Sequence, residues 1–438
     1  MRPAPRLRFG GVPIVAMLSV GCELSAVSVD PSPTIGTVIR ASWSADGSLG
    51  KTRVEVLDSA GSYLATDWQE PSAAEHAASV LGLASGTGYT LRVAAESGET
   101  SVGTPVITAD ATEVPSLTLT GTPGWGGFLT AGLLGNDALA GILDEQGRFV
   151  WWSPANAPVI RARVKQDGTG VWYVESHGEA DTDTSDLVGV NWEGEEVSRQ
   201  TLDRFSHDFV DAPDGRAACV VEDVRENGGK EIVGDSIALV DDEGATETVW
   251  DSWDAWPAPQ PDEITGTNSW THANAIDWDP DSQSYWLGMR NQSTILQVFP
   301  DGSMGTQIGG ADSSYAFPNP EDVPEFQHQF QLVDGGIVMF DDRDSDQYSR
   351  VLELSLDDEA GTATAAWTWH HDPEFWVYAL GDVDRAADGS TLVVFSSAGT
   401  MDDIGPDGEL RWELQTQLAT GIPYFVRLPE LPGVHRIR

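Results

Sequence analysis

The sequence predicts an all-β protein, a small β-sandwich followed by a six-bladed β-propeller. Three observations carry the prediction. No stretch of ten or more residues sustains a helical apolar period, so short strands must build the core. Of 438 residues, 46 are glycine and 17 tryptophan, a composition suited to many strands joined by tight turns. Beyond about residue 113 an internal repeat appears, and a repeat of this length marks a ring or array architecture.

The N-terminus reads as a targeting segment over residues 1–22. Arg2, Arg6 and Arg8 form a basic region, and Gly10 to Gly21 a short apolar core, too short to span a bilayer as a helix. Leu18-Ser19-Val20-Gly21-Cys22 resembles a bacterial lipobox, although Ser19 stands where leucine is usual. The expectation is an exported protein of the periplasm, outer membrane or cell surface, held to the membrane at most by a lipid on Cys22. A plainly cleaved signal peptide is the alternative. Residues 23–33, rich in Ser, Pro and Val, read as a tether.

Residues 34–112 contain alternating segments, among them 38–43, 52–56 and 89–93, spaced as in a small β-sandwich. Trp43 lies on an early strand. Leu83-Ala84-Ser85-Gly86-Thr87-Gly88-Tyr89-Thr90-Leu91 resembles the tyrosine-corner segment of fibronectin type III domains, in which the hydroxyl bonds back to the chain ahead of the strand. No chemistry is evident in this module, which reads as a spacer or docking domain.

Residues 113–438 carry the repeat. A glycine turn followed by a Trp-bearing or alternating strand recurs at Gly147, Gly194, Gly244, Gly302, Gly361 and Gly408. Between these lie hairpin turns at Asp167-Gly168, Asp214-Gly215, Asp281-Ser282, Asp334-Gly335 and Asp388-Gly389. Two hairpins per period of roughly fifty residues make a four-stranded blade, and six periods make the ring.

The repeat also places scattered residues in one register. About eight positions before successive Asp turns stand His207, His272, His328 and Gly381. Equivalent positions of successive blades are related by rotation about the channel axis, so three histidines converge on one end of the channel if that position is axial. The hairpin leaving His272 returns at Arg290, which sets a guanidinium beside the imidazoles. Asn274 shares a strand face with His272. His76 lies in the sandwich, His177 and His435 fall outside the register, and His370 and His371 are candidates for the rim.

Residues 200–430 resemble the catalytic propeller of the bacterial arylsulfate sulfotransferases. The segment 270–280 with Met289-Arg290-Asn291-Gln292 is similar to that family's His-x-Asn…Arg motif, and Phe326-Gln327-His328-Gln329-Phe330 to its second histidine block. Ser206-His207-Asp208-Phe209 fits the first block in register. The resemblance implies sulfuryl transfer from an aryl sulfate to a phenolic acceptor, with no nucleotide donor, no other cofactor and no metal. It implies that His328 is the nucleophile and forms a sulfohistidine. His207, His272 and Arg290 would then hold the sulfuryl oxygens, Asn274 would orient an imidazole or bind an oxygen, and whichever of His207 and His272 stays protonated would serve the departing phenoxide. Phe375 and Trp376 are the candidates for stacking the aryl ring.

Two other readings remain open at this stage. One is a non-catalytic surface propeller that binds a glycan or protein; the other is a metal site formed by the three histidines. Two cysteines cannot build a disulfide framework, and Cys219, within an apolar run, reads as a buried inert thiol. The run Asp341, Asp342, Asp344, Asp346 lacks the glycine and closing glutamate of a calcium loop and reads as a solvated hairpin.

Charge bounds the partners. The chain has 69 acidic residues against 24 basic, a net of −45, which repels nucleic acid and anionic lipid. An anionic aryl sulfate must cross the same field, so its turnover should rise with moderate added salt as long-range repulsion is screened. Initial rates across a salt series check this, and a steady decline from the lowest salt upward would contradict it.

Overall fold

The structure, a computed structural model, describes residues 24–71, 75–112, 114–135, 138–177, 184–241, 243–257, 259, 268–417 and 421–437. Cys22 and the targeting segment lie outside the described residues. Within them no helix is long and apolar enough to cross a membrane.

Among the described residues, six antiparallel sheets follow one another in the manner of a β-propeller. The second consists of strands 159–164, 170–176, 185–191 and 196–202, and the third of 205–211, 217–227, 230–240 and 246–251. The fourth consists of 273–279, 284–289, 294–298 and 304–309, and the fifth of 330–333, 336–341, 350–357 and 362–369. The sixth takes 382–385, 391–395, 400–404 and 410–415, with 118–121 added at its outer edge. The first is composite: 128–133, 139–144 and 149–154 are completed on the inside by 425–428 from the far end of the chain. The inner strands touch in sequence, and 382–385 meets 425–428 to close the ring.

The turn units fall where this architecture needs them. Each Asp turn joins the two inner strands of sheets two to six, and each repeat glycine precedes the outer strand of one sheet. Gly147, Gly194, Gly244, Gly302, Gly361 and Gly408 all have positive φ, between 62° and 83°, a conformation open to glycine at no steric cost.

The N-terminal module is a two-layer sandwich. One sheet has the order 28–31, 39–44, 75–80, and the other 61–66, 52–58, 88–95, 104–107. Trp43 fills the space between them and donates from Nε1 to Thr52 Oγ1 at 2.9 Å. The Tyr89 hydroxyl reaches back along the chain and accepts from Ala84 N–H at 3.1 Å.

Two features differ from the sequence reading. Residues expected to form a tether belong to the sandwich: Ser28–Pro31 pairs with Ile39–Ser44, and Val27 is buried. The alternation there is only two valines long, too short to announce a strand. Residues 434–436 also leave the propeller and pair with 61–66. The sandwich packs against the first two sheets, where Ile35, Leu64 and Leu83 share one apolar core with Phe128, Trp151 and Tyr173. Cys219 is wholly buried, and its surroundings push the thiol pKa upward.

A buried guanidinium, that of Arg161, links the inner strands, and the guanidinium of Arg163 lies 3.8 Å from one of its partners, Asp208. Arg161 of the second sheet donates from Nε to Asp208 Oδ1 at 2.7 Å and from Nη2 to Asp208 Oδ2 at 3.2 Å. Its Nη1 donates to Asp382 Oδ2 at 3.1 Å and to the Phe425 carbonyl at 2.7 Å. Tyr424 lies beneath it at 4.6 Å. Asp208 Oδ2 also accepts from Gln329 Nε2 and from Ile276 N–H, at 2.9 and 3.1 Å. One network therefore ties together the inner strands of all six sheets. Replacing Arg161 with Met would leave the buried Asp208 only the more distant Arg163, whose Nη2 is 3.8 Å away, a loss toward the lower end of about 3–5 kcal/mol. A denaturant midpoint should fall accordingly; an unchanged midpoint would show that the network does not hold the ring.

Candidate active site

The inner strands present their register residues at one end of this hub. His207 precedes Asp208, His328 precedes Gln329 and Gly381 precedes Asp382, so each neighbours a residue of the Arg161 network. His207 and His272 both adopt left-handed backbone, φ 49° and 50°; His207 lies within a break in the strand register between Phe205 and Phe209, and a similar break follows His272 between Ala273 and Ala275. Non-glycine residues held there store of order 1 kcal/mol or more, and such strain gathers at functional sites. At the equivalent position Gly381 has φ 134°, and a Cβ there would come within 2.6 Å of the Phe340 ring.

The three imidazoles and Arg290 are brought together. His207 and His272 meet edge to face with ring centroids 5.0 Å apart. Arg290 N–H donates to the His272 carbonyl at 3.0 Å, the return of the hairpin that leaves His272. The guanidinium lies 4.8 Å from the Phe326 ring, and its Nη2 is 3.4 Å from Asp342 Oδ2 and 3.7 Å from Asp344 Oδ2. Ser206 Oγ sits 2.5 Å from His207 Nδ1, and Ser269 Oγ 3.5 Å from His272 Nδ1.

His328 is held by both ring nitrogens. The Leu380 N–H donates to Nε2 at 2.8 Å, so Nε2 carries the lone pair. The proton of the neutral ring is then on Nδ1, which donates to Asp342 Oδ1 at 2.8 Å. A carboxylate that selects the tautomer with a bare Nε2 is what a nucleophilic imidazole requires. The segment that caps His328 also reaches Arg290, whose Nη2 donates to the Tyr378 carbonyl at 3.1 Å.

Burial keeps all three rings neutral. Desolvation, the nearby His328 and Arg290 lower His207 to about 4, against the pull of Asp208. Desolvation and Arg290 lower His328 to about 3. His272 is held well below its ordinary value by burial, His207, Arg290 and His328. Burial pushes the Asp342 carboxyl upward, against the pull of Arg290. Neither His207 nor His272 therefore stands as a ready imidazolium. As neutral rings they can donate N–H hydrogen bonds but hold no proton to give away.

Other expectations need correction. Asn274 Nδ2 donates to the Gln327 carbonyl at 3.1 Å, which braces the residue before His328, while its buried Oδ1 has no hydrogen-bond partner. Phe375 faces away from the site and stacks on His371 at 4.1 Å, among Phe395 and other core side chains. Trp376 is exposed and donates from Nε1 to Asp344 Oδ1 at 3.2 Å, beside Arg290. Tyr378, overlooked in the sequence, stands exposed next to it with ring centroids 5.9 Å apart. His370 lies edge-on to Tyr348, and His371 belongs to a separate cluster. The run at 341–346 is not a solvated hairpin. Asp341 and Asp342 are fully buried, and Asp341 Oδ2 accepts from Arg350 Nε at 2.8 Å.

Asp342 is the main residue that the sequence reading missed, although a signal was present. The hairpin that leaves His328 turns at Asp334-Gly335 and returns at Asp342, by the same logic that returns the fourth sheet to Arg290. Applied to both hairpins, that logic finds the carboxylate as well as the guanidinium.

Solved structures similar to this chain include a protein of unknown function from Bacteroides caccae, 11% identical with a TM-score of 0.41, covering 71% of this chain and 98% of that one. A virginiamycin B lyase from Staphylococcus aureus is 12% identical with a TM-score of 0.37, covering 68% and 87%. A periplasmic gluconolactonase from Pseudomonas aeruginosa is 12% identical with a TM-score of 0.38, covering 87% and 99%. No curated protein matches the chain. Over residues 134–417, well over half of the sequence, the chain matches the model of the arylsulfotransferase (ASST) family, and it belongs to that family.

Proposed function

We propose that the protein transfers a sulfuryl group from an aryl sulfate to a phenol through a sulfohistidine on His328, without a nucleotide donor. The observation that carries this reading is a neutral His328, its unprotonated Nε2 held by the Leu380 N–H, clustered with His207, His272 and Arg290.

In the first half-reaction Nε2 attacks sulfur. The N–S bond forms as the S–O(aryl) bond breaks, and its electron pair leaves on the phenoxide. Negative charge spreads over the sulfuryl oxygens in a loose transition state like that of phosphoryl transfer. The Arg290 guanidinium and the N–H groups of His207 and His272 are the donors available to it. In the second half a phenol attacks the sulfohistidine, and the proton it releases balances the one taken up by the first phenoxide. Asp342 holds the Nδ1–H tautomer throughout. The substrate must displace the Leu380 N–H from Nε2 and the Tyr378 carbonyl from Arg290, so the segment 376–380 moves with each entry. Trp376 and Tyr378 on that segment offer exposed faces to an aryl ring.

The same reading extends outward. The arrangement of sandwich strands and the Tyr89 hydrogen bond support a fibronectin type III-like domain. We further propose export to the periplasm or cell surface, with lipidation at Cys22, from the basic and apolar character of residues 1–22.

Incubation with a chromogenic aryl sulfate alone should load one sulfuryl group on His328, detected by peptide mass. Added phenol should discharge it, and His328→Ala should abolish both steps. A sulfuryl group on another residue, or turnover that survives the substitution, would overturn the proposal; no turnover and no labelling would instead favour a binding propeller. The depressed histidines set the pH dependence. The neutral nucleophile persists above its folded pKa and is lost as pH falls through it, so kcat/KM should hold through 6.5 and decline only toward about pH 3, the value to which burial and Arg290 lower His328. An acid limb centred near 6.5 would show that burial and Arg290 do not control the site.

A further inference from the structure

Two groups of ligand-type side chains lie outside the active site among the described residues: Glu175, His177 and Asp186, and His371, Asp402 and Glu413. The first already holds a cation. Arg199 Nη1 donates to Glu175 Oε2 at 2.7 Å and to Asp186 Oδ2 at 2.6 Å. The second is arranged differently.

Asp402 and Glu413 are direct partners on adjacent strands of the sixth sheet, where like charges oppose each other. Asp402 is fully buried, and neither of its carboxylate oxygens has a hydrogen-bond donor. His371, carried in from the end of the fifth sheet, points Nε2 between them, 3.2 Å from Glu413 Oε2 and 3.7 Å from Asp402 Oδ2. Its Nδ1 is 2.9 Å from the Pro373 carbonyl. A carbonyl can only accept, so Nδ1 carries a proton there. A second proton on Nε2 could serve Glu413, but it would leave Asp402 buried without a partner. One metal ion serves all three. The separations agree with this: ligand atoms about 2.0–2.1 Å from a tetrahedral ion stand about 3.3 Å apart. The Nδ1–H to carbonyl bond is the outer contact that metal-binding histidines usually make. Phe375 stacked on the ring at 4.1 Å and Phe395 at 6.1 Å shield it from water.

We propose that His371 Nε2, Asp402 and Glu413 bind one divalent transition-metal ion, with Zn2+ the best fit to an imidazole and two carboxylates. Its role is structural, because it stands apart from the reacting atoms. The ion would anchor the base of the segment that runs from His371 to Leu380, whose far end reaches His328 and Arg290. The proposal is independent of the sulfuryl-transfer reading.

The test uses untagged full-length protein, stripped with chelator, dialysed, and titrated with Zn2+ or Co2+. Wild type should bind one equivalent, melt at a higher temperature with Zn2+, and give a four-coordinate visible spectrum with Co2+. Zinc should also slow hydrogen exchange across 371–380. Asp402→Asn and Glu413→Gln should lose binding and the thermal shift, while His177→Gln keeps both. Glu413→Gln lies toward the sheet edge and serves if Asp402→Asn does not fold. Absence of stoichiometric binding by wild type, or binding undiminished in both carboxylate variants, would overturn the proposal.

Discussion

Everything at the centre of this molecule depends on where Arg161 puts its charge. A guanidinium has five donors in a rigid plane, and here they are spent on an inner-strand carboxylate, a second carboxylate and a backbone carbonyl from three other sheets. Asp208 passes the constraint on to the remaining two through Gln329 and Ile276. Such a network adds little net stability over an apolar plug, because desolvation consumes most of the Coulombic gain. Its value is positional. A hydrophobic axis would tolerate sliding of the inner strands, whereas this one accepts a single arrangement of six. Since His207, His328 and Gly381 each sit one residue before a member of the network, the hub also sets the site.

The electrostatics of the site follow from its depth. Three imidazoles and a guanidinium share a space with little water, and the cheapest way to accommodate them is for the rings to stay neutral. That leaves Arg290 as the standing positive charge beside them, with Asp342 and Asp344 close to it. An anion arriving in the site therefore meets one full positive charge and several polarised N–H groups. The chain as a whole carries a net −45, so this guanidinium and its polar N–H neighbours stand out against an acidic background.

Much of the fold was legible because turns are local. The six glycine turns and five Asp turns needed only their own residues to be recognised, and each joins strands of a sheet. The count of five has a physical cause: the inner strand of the first sheet is 425–428, so no inner hairpin exists there to carry a turn. The convergence of the histidines was readable because the repeat carries register. Features that depend on contacts between sheets were not readable. Arg161 gives no sign in sequence that it will meet Asp208 and Asp382, and His371 none that it will face Asp402. The contacts of Asn274 with Gln327 and of Phe375 with His371 likewise join separate elements and leave no mark in the local sequence. The strand at 28–31 was missed because Ser and Pro dominate it and its pairing partner supplies the order.

The strand at 434–436 has a consequence for biogenesis. It closes the outer edge of the sandwich by pairing with 61–66, and His435 bonds to Asp67 across 368 positions of sequence. Until that late segment has been made and delivered, the early module presents an unpaired β-edge, the kind of surface that recruits other chains. Completion of the sandwich edge is thus tied to delivery of the last strand of the chain, and the two ends of the sequence mature as one unit.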